Sequence, residues 1–167
     1  MPDSAKSPVS HYGNVCALPE RLGELGRRML AEICAACRSA EASVWLLSRD
    51  GKQMRCIMNA GPHSTRIEAL SVPVDASVVG LVACNGLPAS IGPDDYHHPM
   101  VDQLLGTTTS AMIACPFYVN GAIAGTVSAI NPAGGGLFAA SDLELLSWKT
   151  YLLGLIFNDV AHHEEFT

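Results

Sequence analysis

The sequence predicts an α+β domain, on three observations. A stretch with apolar residues at helical spacing begins near Pro19. Two pairs of apolar runs are each joined by a dipeptide of hairpin type, Asp50-Gly51 and Asn120-Gly121. A second long helical stretch follows Ser141. Of the 167 residues, 49% are hydrophobic and 16% are charged, which suffices for one core and is too apolar for disorder. The net charge of −6, with no Lys/Arg-rich face, removes the electrostatic term on which nucleic-acid binding rests.

Residues 1–17 read as a leader rich in Pro, Ser and Asp, residues 18–160 as the domain and residues 161–167 as a tail. Pro19 suits a first helical position, and Leu22, Leu25, Met29, Ile33 and Cys37 follow as one apolar face. Ser43–Ser48 and Gln53–Asn59 form a strand pair across Asp50-Gly51, and a further strand signal lies near Leu70–Val74. Residues 75–85 read as a short helix with Asp75 or Ser77 as cap and Gly86 as stop. Residues 87–98 read as mostly loop, and residues 99–105 as another short helix ended by Gly106. The hairpin around Asn120-Gly121 is the strongest unit; its strands are rich in small residues, which let helices or a ligand approach closely.

Residues 103–141 carry no charged side chain, yet Pro116, Asn120-Gly121 and the NPAGGG stretch interrupt them. A membrane-spanning helix needs roughly 20 uninterrupted apolar residues, so these are expected to be buried strands and no membrane partner is indicated. Without an apolar signal region, a cytoplasmic location is expected, with the six cysteines as reduced thiols.

Gly134–Gly136 raise the question of a phosphate loop. Such a loop requires Lys and a hydroxyl directly after its glycines, and Leu137 and Phe138 stand there instead. The glycines therefore read as a connector, Phe138 as a core plug, and Ser141 with Glu144 as a capping box for the last helix. In that helix Leu145, Trp148, Leu152, Leu155 and Ile156 can serve the core. This leaves Leu146, Leu153 and Phe157 partly uncovered, as the candidate interface of a homodimer formed through the first and last helices.

The densest polar cluster is Asp94-Asp95-Tyr96-His97-His98. It reads as a solvated loop, as a lid over a ligand, or as a metal site, the last disfavoured because adjacent histidines rarely point at one ion. Cys34 and Cys37 lie one helical turn apart with no second pair, which points to core thiols rather than zinc. Thr109 among the hydroxyls Thr107–Ser110, Ser128 in the middle of an apolar strand, Met112 and Cys84 complete the candidate ligand contacts alongside Tyr96, His97 and His98.

Taken in order, ASVWLL, VVGLVA.NGLP, HPMVDQLLG, SAMIACPFYVNGAIAGTVSAINP and FAASDLELL resemble the GAF domain family, over about residues 19–158. The resemblance implies an antiparallel sheet with the terminal helices on one face. Loops and short helices enclose a small-molecule pocket on the other, in a domain that senses rather than catalyses. Asn131, Phe138 and Asp142 match the pattern of cyclic-nucleotide-binding members, whereas Pro132 and Leu143 replace its Lys and Glu. No Cys precedes the second short helix to anchor a tetrapyrrole. The thiols of the free methionine sulfoxide reductases are replaced by Val79 and by Met100-Val101-Asp102. The expectation is a freestanding sensor that binds a small molecule and signals through dimer geometry or to a partner protein, with no cofactor specified. The alternatives are a ligand-free interaction module, its pocket filled by Met112, Tyr118 and Tyr96, and a thiol-dependent reductase using Cys84.

Overall fold

The chain is described by a computed structural model covering residues 20–68, 70–95, 97 and 99–164. The expected leader lies outside these residues, as do Tyr96 and His98. Helix α1 (Glu20–Cys37) leads into β1 (Ser39–Leu47), which folds back on β2 (Gln53–Ala60). The Ser48 amide bonds the Gln53 carbonyl, so four residues turn the chain rather than the two suggested by Asp50-Gly51. The Asp50 carboxylate accepts from Ser48 Oγ at 2.6 Å and from the Lys52 amide at 3.1 Å, and Gly51 takes a φ of +71°.

There follow α2 (Ser64–Ile67), β3 (Ser71–Pro73), a 3₁₀ turn (Val74–Ala76), α3 (Val78–Asn85), β4 (Ala89–Ile91) and α4 (Met100–Leu105). The hairpin β5 (Met112–Val119) and β6 (Ala122–Pro132) and helix α5 (Ala140–Glu164) complete the order. Ser77 is the cap of α3, its Oγ accepting from the Gly80 amide at 3.1 Å. β4 lies within the stretch expected as loop; three residues against β5 are too short for a periodic signal. The last helix continues past residue 160 to Glu164.

All strand pairs are antiparallel, in the order β3-β2-β1-β6-β5-β4. The Asn120-Gly121 turn has φ of +50° and +77°, as a turn of this hand requires. Helices α1 and α5 pack on one face over Ala42, Val44, Leu46, Ile113, Phe117, Val127 and Ala129, with Phe138 in the same core. α3, α4 and their loops cover the other face.

Three sequence expectations are corrected here. Leu146, Leu153 and Phe157 are buried, not partly uncovered, with Phe157 5.4 Å from Phe117 between ring centroids. The uncovered face of α5 instead carries Trp148, Tyr151 and Leu155. Gly154 is the physical reason: a Cβ there would sit 2.6 Å from the Tyr118 carbonyl oxygen, so its stripe faces the sheet. On α1, likewise, the buried stripe runs through Leu22, Gly26, Leu30, Ile33 and Cys37 and leaves Leu25 exposed. Finally, α5 is not capped by Ser141. Asp142 reaches back to accept from the Ala139 amide at 2.8 Å, and the Ala139 carbonyl takes the Asp142 and Leu143 amides.

Candidate functional site

The register of the three central strands builds a floor. Glu41 pairs with Ile130 and Ile130 with Met112; Ser43 pairs with Ser128 and Ser128 with Ala114; Trp45 pairs with Thr126. Residues two apart on a strand share a face, so Glu41, Ser43 and Trp45 stand together on the side away from α1 and α5. Above them lies a cavity of about 90 Å³, walled by Pro73, Ala76–Val79, His97, Met100–Asp102, Leu105, Thr107 and Thr109. By the measure of about 15 Å³ per water, it has room for roughly six waters or a ligand of similar size.

The α3 wall is held close by two devices. Thr126 Oγ1 donates to the Val79 carbonyl at 2.8 Å, tying the helix start to the sheet. Gly80 has no Cβ because one would overlap the Val74 carbonyl oxygen of the preceding turn. The α4 wall is braced by Asp102. Its carboxylate accepts from the Thr109 amide and Thr109 Oγ1, both at 2.7 Å, and contacts His97 Nε2 at 3.1 Å. Burial pushes this carboxyl up. The Thr109 and His97 bonds outweigh burial and leave it below the ordinary value, so Asp102 is ionised at neutral pH. Arg66 donates to the Leu104 and Leu105 carbonyls at the end of α4, where a cation offsets the helix dipole.

On the floor, Trp45 Nε1 donates to Ser128 Oγ at 3.3 Å, which supplies the partner that a hydroxyl in an apolar strand requires. Asn59 Nδ2 donates to Ser43 Oγ at 2.8 Å and to Glu41 Oε2 at 3.3 Å, and His63 Nδ1 lies 2.6 Å from Glu41 Oε1. Glu41, Ser43 and Asn59 are buried, a dense polar network for a sheet interior.

Of the residues singled out from sequence, His97, Thr109, Met112 and Ser128 line this cavity together. Cys84 does not: it is exposed on α3, and no thiol lines the cavity among the described residues. Tyr118 does not fill the cavity either, its hydroxyl lying 3.5 Å from the Gly86 carbonyl. Asp95 closes its own loop by accepting from the Gly92 amide at 2.8 Å. Asn131 is a strand-end staple: its Oδ1 accepts from the Ser110 amide and its Nδ2 donates to the Thr108 carbonyl, both at 2.8 Å. Among the described residues no group of three or more His, Cys, Asp or Glu could hold a metal ion, and no helix is long and apolar enough to cross a membrane.

Sequence reasoning missed Glu41, Ser43, Trp45 and Asp102 as lining residues, and read Ser77 only as a helix cap. The first three carried a signal, a polar-polar-aromatic alternation at every second position inside a strand. Asp102 carried none, because its partner Thr109 lies beyond a helix end whose geometry decides the contact.

Comparison with protein families matches the GAF domain over residues 21–148. Comparison with curated proteins found no match. Among solved structures, the GAF-B domain of DevS from Mycobacterium smegmatis superposes with a TM-score of 0.71 at 15% identity, covering 87% of this chain and 99% of that one. The GAF domain of Acinetobacter phosphoenolpyruvate-protein phosphotransferase gives 0.71 at 14%, covering 95% and 93%. The blue-light absorbing form of the Thermosynechococcus elongatus PixJ GAF domain gives 0.70 at 9%, covering 90% and 95%. At these identities the likeness concerns the fold.

Proposed function

Since the chain belongs to the GAF domain family, we propose that it is a regulatory sensor that holds a small molecule in the cavity between the central strands and the α3 and α4 walls. The cavity carries this reading. It has a rigid hydrogen-bonded floor and polar groups converging from four separate segments, which is how small-molecule sites are built. The reading is of a binding module, not an enzyme, set in the cytoplasm, where its cysteines stay reduced.

The exposed face of α5 favours an output by association. Trp148 and Tyr151 are each 58% exposed and stack on one another at 5.8 Å, with Leu155 one turn further on. Large apolar groups in a contiguous exposed stripe mark interaction surfaces. The proposed output is a homodimer, or a complex with a signalling partner, made through this face rather than through Leu146, Leu153 and Phe157.

A native mass spectrum of the purified full chain tests both parts. The expected result is a dimer carrying a discrete small-mass adduct. A bare dimer would favour an interaction module without a ligand, and a bare monomer would remove the association reading.

A further inference from the structure

We infer that the cavity is shaped for a small organic cation, an inference that rests on the sensor reading above and names its ligand class. Among the described residues the cavity lining holds two carboxylates, Glu41 and Asp102, and no Lys or Arg. Among the described residues the basic groups that reach those carboxylates are His63, on Glu41, and His97, on Asp102. With both imidazoles protonated the four groups sum to zero, and with either one neutral the site is negative. The site therefore offers no net positive charge to offset the desolvation of an anion, which is costly for an unpaired charge. Arg66 and Arg27, two guanidiniums on neighbouring elements, are engaged elsewhere: Arg66 on the α4 carbonyls, Arg27 on Glu68 at 2.9 Å.

The hydrogen-bonding capacity points the same way. A carboxylate has about four acceptor positions; among the described residues three donors reach Asp102 and two reach Glu41, which leaves room for a further donor on each. Trp45, whose ring edge is fixed by Ser128, adds an indole to the floor of the same cavity. An aromatic ring beside carboxylates is an arrangement that holds ammonium and quaternary ammonium groups. A bare metal cation does not suit the site, since no three ligating side chains cluster there among the described residues. The room for roughly six heavy atoms suits an alkylammonium. At the N-terminus of α3, where the helix dipole would favour an anion, Ser77 Oγ already occupies the Gly80 amide.

Trp148→Phe in the full chain leaves Trp45 as the only tryptophan. Its emission, with calorimetry alongside, is followed during titration with choline and butylammonium. Butyrate, inorganic phosphate and butanol serve as the anionic and neutral counterparts. The expected result is saturable binding of the two cations, at least tenfold tighter than of the counterparts. Glu41→Gln and Asp102→Asn should each weaken it about tenfold. Because Asp102 also braces Thr109, Trp45→Phe is the second variant; read by calorimetry, it should weaken cation binding about threefold to tenfold. Tighter or equal binding of butyrate, phosphate or butanol would overturn the cation inference and leave the sensor reading standing. Cation binding indifferent to all three substitutions would place it outside this cavity and overturn the inference too. Failure of every compound to bind at millimolar concentration would overturn the cation inference, while the adduct in the native mass spectrum decides the sensor reading separately.

Discussion

Leu153 and Leu155 lie two residues apart on α5 and face opposite ways, 1% and 45% exposed. Truncating each to alanine therefore isolates burial from chemistry. Leu153 reaches the α1 contact, its Cδ1 being 4.0 Å from where a Cβ on Gly26 would sit. Removing it forfeits the transfer free energy of the lost groups and leaves a void between two helices and the sheet, a cost of about 2–5 kcal/mol. For a chain of this length each kcal/mol lowers Tm by about 2–4 °C, so Leu153→Ala should lose roughly 7–14 °C at the middle of that range. Leu155→Ala should stay within about 0.5 kcal/mol for the isolated chain. Thermal unfolding followed by circular dichroism, repeated over a wide range of protein concentration, reads both values. It also reads the association proposed for the outer face, because a dimer makes Tm rise with concentration by mass action and Leu155→Ala should abolish that rise. Equal losses for the two variants at low concentration, or a silent Leu153→Ala, would refute the assignment of the two faces.

Asp102 has its carboxyl held low, so it contributes stability above its unfolded value of 3.8 and loses it as pH falls through the lower folded value. Trp45 emission in Trp148→Phe should therefore change on acidification below about pH 3.8. Asp102→Asn should remove that step and cost about 1.5–3 kcal/mol at neutral pH through its weakened bonds to Thr109, measured by urea unfolding. Gly80→Ala sets a Cβ against the Val74 carbonyl, backbone against side chain with no rotamer to yield, and should cost about 1–3 kcal/mol. An unchanged urea midpoint would mean that the Val74–Ala76 turn does not seat on α3. Burial pushes the Cys37 thiol up to about 11 and raises those of Cys34, Cys56 and Cys115, whereas Cys84 is exposed. Iodoacetamide at pH 8 should thus modify Cys84 before those four, as read by peptide mass mapping.

The elements legible in the sequence were those with long periodic patterns or strong turn chemistry: α1, the β5–β6 hairpin with Asn120-Gly121, and α3 between Ser77 and Gly86. The misread faces share one cause. On α1 and α5 the side facing the sheet passes through Gly26 and Gly154, where the backbones come closest. A hydrophobicity pattern scores a glycine as nothing and rotates the apparent stripe toward Leu25 or Trp148. Close packing selects the smallest residue, so the tightest contact leaves the faintest apolar signal. The site was half legible for a related reason. Thr109, Met112 and Ser128 stood out as polar or large groups amid small ones, while Glu41 looked like an ordinary surface carboxylate at a strand start. Only the pairing of Glu41 with Ile130 shows that it lies over the sheet centre.

That pairing also bears on how an occupied cavity would reach the association face. Glu41, Ser43 and Trp45 alternate along β1 with Ala42, Val44 and Leu46, and the second set packs under α1 and α5. Each cavity residue is therefore bonded through one peptide unit to a residue beneath the terminal helices. A peptide unit is planar and stiff, and the core on the helix side is close-packed, with Gly154 already against the Tyr118 carbonyl. A shift in the floor of a few tenths of an ångström has no slack to absorb it on that side. The expected outcome is a tilt of α5 relative to α1, and a tilt is what a dimer formed through Trp148, Tyr151 and Leu155 would register. A ligand that bonded to Glu41 would pull on β1 itself, so the carboxylate proposed to set the sign of the ligand would also couple binding to the helices.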